Sequence, residues 1–285
     1  MALDRNALED YIRRALTWPD NTLSVEEGPA FGSEFRLGTA RGDDPIFAQI
    51  RADISPQEYL LPEQWMEKRL GAPVPAAEVT VVSWALPQTE ATRRAQEGQE
   101  REPARCWSAN RTFGQAFQNH LLREMLPWLE AQGVEAIAPM IHPDFHMIST
   151  SRHGLASNWS ERHTAFACGL GTFGLCDGLI TELGKTVRLT SVVLHAQLPT
   201  VPRPYAGYRD YCLWDKGCRA CIQRCPAGAI RPEGHDKQKC SAYCDQLYRD
   251  LRESYGFDGV YGCGLCQTRV PCERGIPAGV RKRDM

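Results

Sequence analysis

The chain has 285 residues, of which 42% are hydrophobic and 24% charged, and its formal net charge is −2. Such a length and composition are typical of a globular protein with a sizeable core, in one large domain or two smaller ones. The nearly neutral balance disfavours a large nucleic-acid interface, which needs a basic face. The sequence contains no run of about 18 apolar residues, so no membrane span is predicted.

The two ends of the chain carry no clear targeting signal. Residues 1–7 have neither an apolar signal core nor a twin-arginine pair, so we expect a cytoplasmic protein. The basic run Arg281-Lys282-Arg283 is predicted to be a solvated tail.

Residues 1–70 have the pattern of helices and loops. Within them Ser55 and Glu58 form a capping box with Pro56 at the first helical position, which predicts a helix beginning there. Residues 79–85 are β-branched and apolar and predict a buried strand. Residues 88–104 are almost wholly polar and predict a mobile surface loop.

Helices and strands alternate in the next hundred residues. A helix ending at Gly133 is marked by the apolar residues Phe117, Leu121, Met125 and Leu129. Residues 134–138 predict a strand, residues 160–168 a helix and residues 187–194 a further strand. This order predicts an α/β (α+β) sandwich.

The composition changes near residue 205, after the Pro-Arg-Pro stretch at 202–204. We therefore predict one domain over residues 1–205, whose helical residues 1–70 match no known pattern, and a cysteine-rich domain over residues 206–285.

Nine of the twelve cysteines lie between Cys212 and Cys272. Three of them form the run Cys218-x2-Cys221-x3-Cys225-Pro, which is typical of ferredoxin loops that hold an iron–sulfur cluster. Disulfides are disfavoured because the chain is neither short nor visibly secreted. Zinc remains an alternative, since C-x2-C pairs also build zinc sites, but nine cysteines are too many for one tetrahedral ion.

The cysteine count is sufficient for two 4Fe–4S clusters if the last thiolate of each run crosses to the other cluster, as in two-cluster ferredoxins. The predicted ligands of the first cluster are Cys212, Cys218, Cys221 and Cys272. Those of the second cluster are Cys225, Cys240, Cys263 and Cys266. Asp215 could replace Cys212, and Cys244 could replace Cys240. The remaining thiols, Cys106, Cys168 and Cys176, are expected to be buried side chains without a ligand role.

Two segments of the first domain carry candidate site residues. His142 and Asp144 lie on a loop after a predicted strand and could donate a proton to a substrate, although Asp after Pro also closes turns. Residues 169–174 match G-x-G-x-x-G, but a helix rather than a strand precedes them, which disfavours a nicotinamide cofactor. These glycines can instead allow close approach of the backbone to another group.

Residues 163–199 resemble the core segment of epoxyqueuosine reductases and reductive dehalogenases. The shared pattern is an alanine-rich helix, a Gly-Leu-Gly turn at Gly169, a Leu-Ile pair, an Arg-Leu strand and a closing Leu-Pro, followed by the cysteine-rich part. The resemblance implies a nitroreductase-like sandwich followed by a ferredoxin-like domain with two clusters, with cobalamin between them. It implies cofactor contacts from His163, Gly169, Gly171, Thr172 and Gly174.

The resemblance further implies an iron–sulfur oxidoreductase that reduces a small organic substrate with electrons from an external donor such as ferredoxin or flavodoxin. A tRNA substrate is disfavoured by the charge balance and by the absence of a helical repeat region after Cys272. Where epoxyqueuosine reductases carry Gly-Lys-Asn-Thr, this chain has Leu175 and Cys176 after Gly174. An alternative is therefore a two-cluster electron-transfer protein or partner subunit without a corrinoid.

Overall fold

The structure is a computed structural model that describes residues 3–150 and 154–280. The predicted basic tail at Arg281-Lys282-Arg283 lies outside the described residues. The helices are α1 (Arg5–Ala15), α2 (Pro45–Ile54), α3 (Pro62–Leu70), α4 (Glu90–Glu97), α5 (Arg105–Ala109), α6 (Gln115–Ala131), α7 (Glu161–Ala167), α8 (Ala220–Gln223) and α9 (Lys237–Tyr255). The strands are β1 (Arg36–Arg41), β2 (Thr80–Pro87), β3 (Ala136–Ile137), β4 (Met147–Thr150), β5 (Gly154–Ser157), β6 (Gly171–Phe173), β7 (Leu179–Thr181), β8 (Val187–Leu194), β9 (Ile230–Arg231) and β10 (Gly234–His235).

A four-stranded sheet with the order β1-β2-β8-β3 is the centre of the fold, and all of its pairings are antiparallel. The predicted strands at 79–85, 134–138 and 187–194 are confirmed as β2, β3 and β8. Val82 stands opposite Val192, so β-branched side chains pack across the central pair. The antiparallel pairing makes the fold α+β.

The sheet separates two apolar cores, because successive side chains of a strand point to opposite faces. Val81 and Ala85 of β2 belong to one core, with helices α2, α3 and α7. Val82 and Trp84 belong to the other, with α1 and α6. Helices thus cover both faces, and the predicted sandwich is confirmed.

The predicted helix start at Ser55 is wrong. Ser55 instead ends α2, where its N–H donates to the carbonyl of Arg51. The N–H of Glu58 does donate to Ser55 Oγ at 3.3 Å, but this contact closes a turn rather than a helix. The next helix, α3, begins at Pro62, and Gln64 Oε1 accepts from the N–H of Leu61 at 3.0 Å. One hydrogen bond of this type serves turns and helices alike.

The predicted mobile loop at 88–104 is also wrong, because its centre is the helix α4, capped by Thr89. Gln96 is fully buried: its Nε2 donates to the carbonyl of Cys263 at 2.8 Å, and its Oε1 accepts from the N–H of Ala104 at 2.7 Å. The Gln96 amide is thus paired with backbone groups on both sides, and that pairing allows it to be buried.

The predicted long helix is confirmed, and Gly133 follows it with a φ of 75°. It is joined to α5 by a π-helical turn, Asn110–Gly114. π turns inside helices often occur at functional sites.

The cysteine-rich part consists of α8, the hairpin β9–β10 and α9, joined by loops. Tyr205 and Tyr211 both pack into the core of the first part, so the two parts meet in an apolar contact around residue 205. The boundary near residue 205 stays a prediction. Within the described ranges, no helix has the length and apolar character needed to cross a bilayer.

Candidate metal and cofactor site

Four of the predicted ligands surround one cavity. Cys212, Cys218, Cys221 and Cys272 line a small cavity of about 20 Å³, which Leu175 and Lys185 of the first part also border. The lining does not include Asp215, which lies on the short 3₁₀ turn Trp214–Lys216. The cavity therefore unites the four thiols predicted for the first cluster and favours Cys212 over Asp215.

A buried cation lies beside these thiols. Lys185 is 3% exposed, and its Nζ donates to Cys176 Sγ at 3.2 Å. Burial alone would lower the pKa of Lys185. The charges of nearby thiols outweigh burial and raise this pKa above its usual value. These thiols are Cys176, Cys272, Cys266 and Cys221. A buried ammonium group needs such a negative environment.

Cys176 is the site residue that sequence reasoning missed, since we expected it to be an ordinary buried thiol. Its thiol interacts with those of Cys221 and Cys266, and its Sγ lies 4.0 Å from the carbonyl oxygen of Cys266. These two contacts, against the opposite effect of burial, lower the pKa of Cys176. The available signal was its place in the turn after Gly174, within the segment that resembles a cofactor-binding family. Cys168, by contrast, is buried and donates to the carbonyl of Val81 at 3.5 Å, as expected of a packing thiol.

A second group of thiols lies around α9, on which Cys240 and Cys244 stand one turn apart. Contact with Cys240 lowers the pKa of Cys244 to about 6, and contact with Cys244 raises that of Cys240. Cys225 and Cys263 act electrostatically on Cys240 as well. The N–H of Ala229 donates to Cys225 Sγ at 3.3 Å. Cys244 is thus as well placed as Cys240 to be a ligand.

Cys263 and Cys266 are held by a tight loop. Gly264 between them has a φ of 65°, and a Cβ there would stand 2.2 Å from the indole nitrogen of Trp107. Only glycine fits this position without displacing the ring. Cys266 lies between the two groups, since it contacts Cys176 and acts on Cys263.

No three His, Cys, Asp or Glu side chains in residues 3–150 and 154–280 are arranged to hold a single metal ion. A four-iron cluster differs from such an ion, because each thiolate binds a different iron and the sulfurs surround a cube. The thiols of the first group and the buried ammonium beside them suit an anionic group of that kind in ligand chemistry and in charge. The assignment of the eight cysteines as ligands stays a prediction.

The glycine segment predicted to contact a cofactor is packed against the protein itself. A Cβ at Gly171 would stand 2.1 Å from the carbonyl oxygen of Ile180 in the paired strand, and Gly169, with a φ of 83°, ends α7. Thr172 is fully buried, and its Oγ1 accepts from the N–H of Tyr211 at 2.8 Å. A Cβ at Gly174 would lie 3.4 Å from the carbonyl of Gly178. These contacts show that the three glycines and Thr172 pack against the protein's own backbone. Their predicted role in cofactor binding stays untested.

His163, also predicted to bind a cofactor, lies at the start of α7. Its ring packs on Phe173 with centroids 4.7 Å apart, and its Nδ1 bonds to Ser160 Oγ at 2.8 Å. The ring is therefore oriented by its neighbours.

The predicted catalytic pair lies at the surface. Asp144 forms an ion pair with Lys68 at 2.5 Å, and this hydrogen bond lowers the pKa of Asp144. Its N–H donates to His142 Nδ1 at 3.1 Å, and His146 Nδ1 bonds to its carbonyl at 2.9 Å. An ionised, paired carboxylate is a poor proton donor, so the geometry favours the turn alternative.

Glu161 has the properties that Asp144 lacks. Protein encloses both of its carboxyl oxygens, and burial raises its pKa to about 8, against smaller opposite effects of Ser191 and Trp159. The carboxyl group is therefore protonated at neutral pH and can donate a proton.

Three arginines lie close enough to one another to interact electrostatically. They are Arg111 of the π turn, Arg162 of α7 and Arg188 of β8. Burial and then the two other arginines lower the pKa of Arg188, whose Nε is buried without a hydrogen-bond partner. None of the three forms an ion pair within the part of the chain that the structure describes. Arg111 also interacts with Cys244. Such a group attracts an anionic or amide-bearing ligand.

Comparison with known proteins bears on this site. No protein-family model matches the chain. Over 172 residues it is 32% identical to an epoxyqueuosine reductase from Bacillus cereus, a match that covers 58% of this chain and 40% of that protein. An epoxyqueuosine reductase from Listeria monocytogenes is 32% identical over 160 residues, 54% of this chain and 38% of that protein. The match thus spans about two fifths of the length of these curated relatives.

Two solved structures are also similar to this chain. A variant of a catabolic reductive dehalogenase superimposes with a TM-score of 0.52 at 18% identity, over 85% of this chain and 30% of that one. A crystal structure of selenomethionine-labelled epoxyqueuosine reductase matches with a TM-score of 0.49 at 21% identity, over 98% of this chain and 69% of that one. The predicted resemblance to these families is confirmed, and the fold is shared with the dehalogenase.

Proposed function

We propose that this protein is an iron–sulfur reductase. In this proposal two 4Fe–4S clusters held by the C-terminal cysteines pass electrons to cobalamin bound against the sandwich, and a small organic substrate is reduced. An external donor such as ferredoxin or flavodoxin supplies the electrons, and the cytoplasm is the proposed location.

The observation that carries the proposal is the cavity lined by Cys212, Cys218, Cys221 and Cys272 beside the buried Lys185. Thiols that only fill a core need no buried cation among them. A cluster with a net negative charge explains the cation, and Lys185 brings the first part into contact with the proposed cluster site.

The buried polar groups around Arg188 support a bound cofactor or substrate. Gln118 Nε2 and Arg188 Nε are enclosed yet lack a hydrogen-bond partner among the described residues. Buried polar atoms are rarely left unsatisfied, so a ligand with amide or anionic groups fits here. Cobalamin has both kinds of group and, when bound, would supply a reduced cobalt. Glu161 is the proposed proton reservoir in place of Asp144.

The alternative of a two-cluster electron-transfer protein without a corrinoid is favoured by one observation. The segment around Gly171 is filled by its own hairpin, because a Cβ there would meet the Ile180 backbone at 2.1 Å. Under this alternative the glycines serve only the packing of β6 against β7.

The deciding experiment is metal and cofactor analysis of protein purified without oxygen. We expect about eight iron atoms and eight sulfides per chain. We also expect a paramagnetic signal of cob(II)alamin that changes when the protein is added. A Cys218→Ser/Cys221→Ser double variant should lose the first cluster, whereas the control Cys168→Ala should keep both. Zinc without iron would contradict the proposal, and full iron without any corrinoid response would favour the alternative.

The substrate class can then be tested with reduced protein. Suitable probes are a small halogenated phenol and an anticodon stem-loop carrying epoxyqueuosine, the substrate classes suggested by the names of the relatives. Turnover of the phenol alone would support the small-substrate proposal, and turnover of the stem-loop alone would contradict it.

A further inference from the structure

The turn between β6 and β7 is built to hold Cys176 against the cysteine-rich part. The N–H of Gly174 donates to the carbonyl of Gly178 at 2.8 Å, and Asp177 has a φ of 58°. The carboxylate of Asp177 pairs with His235 Nδ1 of the C-terminal hairpin at 3.3 Å. The turn is therefore closed by its own backbone and bound to the cysteine-rich part by one side-chain pair.

Cys176 is surrounded by other thiols, by apolar side chains such as Ile230 and by one cation. Its thiol is 5% exposed and packs in a cluster that includes Cys212, Cys221 and Cys266. Lys185 Nζ donates to its Sγ at 3.2 Å. Gly178 leaves the space for this lysine, because a Cβ there would stand 2.8 Å from the Lys185 side chain.

Cys176 interacts with one thiol of each group, Cys221 of the first and Cys266 of the second. Cys221 is in contact with Cys176, and Cys272 interacts with Cys176 as well as with Lys185. Cys212, in contrast, precedes the position that the ferredoxin spacing assigns to a ligand by three residues.

We propose that Cys176, supplied by the sandwich, is the fourth ligand of the first cluster, together with Cys218, Cys221 and Cys272. Cys212 then lines the cavity without binding iron. Lys185 compensates the charge of the cluster from the sandwich side. This inference rests on the proposed function and deepens it. A ligand from the sandwich would attach the first cluster directly to the part of the protein that is proposed to bind the substrate.

The test compares three single variants of the full chain after anaerobic reconstitution: Cys176→Ala, Cys212→Ala and the buried control Cys168→Ala. The wild type is expected to hold about eight iron atoms, and so are Cys212→Ala and Cys168→Ala. Cys176→Ala is expected to hold about four, and after reduction its paramagnetic spectrum should be that of one isolated cluster. Iron loss in Cys212→Ala, alone or together with Cys176→Ala, would overturn the assignment.

A conservative variant keeps the test decisive if Cys176→Ala fails to fold. Cys176→Ser offers an oxygen ligand, so it should retain the cluster with altered g values, and an unchanged spectrum would overturn the proposal. Wild-type protein without iron would contradict the proposed function as a whole. Wild-type protein with about eight irons and an unchanged Cys176→Ala would contradict the role of Cys176 alone.

Discussion

Replacing Glu161 with glutamine should change how stability depends on pH. The pKa of Glu161 is about 8 in the folded protein, because its carboxyl group is buried, against an ordinary value of 4.5. Between these two pH values the folded state holds a proton that the unfolded state has lost. The contribution of Glu161 to stability is therefore complete below pH 4.5, falls as the pH rises, and reaches its minimum above pH 8.

The magnitude follows from the linkage between protons and folding. Each pH unit in this window costs about 1.4 kcal/mol, so the change from pH 5.5 to 7.5 costs about 2.7 kcal/mol. Glutamine has no proton to release and therefore lacks this slope. Relative to the wild type, Glu161→Gln should gain about 2.7 kcal/mol of stability over the same interval. For a chain of this size that corresponds to a relative shift in Tm of about 5–10 °C.

The assay is thermal unfolding of anaerobic protein at one scan rate, at pH 5.5 and 7.5. Comparing the two proteins at each pH cancels the contributions of all other titrating groups. Thr164→Val is the matched control, since Thr164 is fully buried in the same helix but does not titrate in this range. A Glu161→Gln variant with the same pH slope as the wild type would show that the native carboxyl is already ionised at pH 5.5, and the reasoning would be refuted.

Three further outcomes are expected. Lys185→Met should lower the reduction potential of the first cluster, because reduction adds negative charge where the buried cation has been removed. An unchanged potential in a redox titration would show that Lys185 does not act on the cluster. Arg203→Ala should lower the free energy of unfolding in denaturant by about 1–3 kcal/mol, since its guanidinium group binds Asp44 at 2.6 Å and the carbonyl of Ala167 at the end of α7. The control Arg13→Ala removes an exposed ion pair and should lower it by less than about 0.5 kcal/mol. Leu121→Ala should lower the free energy of unfolding by about 2–5 kcal/mol in the same assay, because the Leu121 side chain of α6 is fully buried. A smaller loss would mean that neighbouring side chains fill the space that leucine leaves.

The elements predicted correctly are those in which local pattern and burial agree. β2 and β8 contain several β-branched residues and are mostly buried on both faces, and α6 has apolar residues at helical spacing before a glycine with positive φ. In these segments the side chains that favour the backbone conformation are the same ones that pack in the core.

The two wrong predictions have one physical cause. The polar residues of α4 looked solvated, but Gln96 is buried because the carbonyl of Cys263 lies where its amide can reach. The capping pattern at Ser55 forms its hydrogen bond, yet the chain turns there. In both cases the local pattern did not specify the structure, because the same hydrogen-bonding side chain can serve more than one backbone conformation or environment.

By itself, the sequence determined the sandwich, the cysteine spacing and the family resemblance, because periodicity and ligand spacing are properties of neighbouring residues. Only the tertiary structure decided which thiols meet. Cys176 lies 45 residues or more before its partners Cys221 and Cys266, and their contact depends on how the β6–β7 turn docks on the cysteine-rich part. The position of the buried Lys185 charge also depends on the tertiary structure, since this lysine becomes a neighbour of the thiols only when the two parts of the chain pack together.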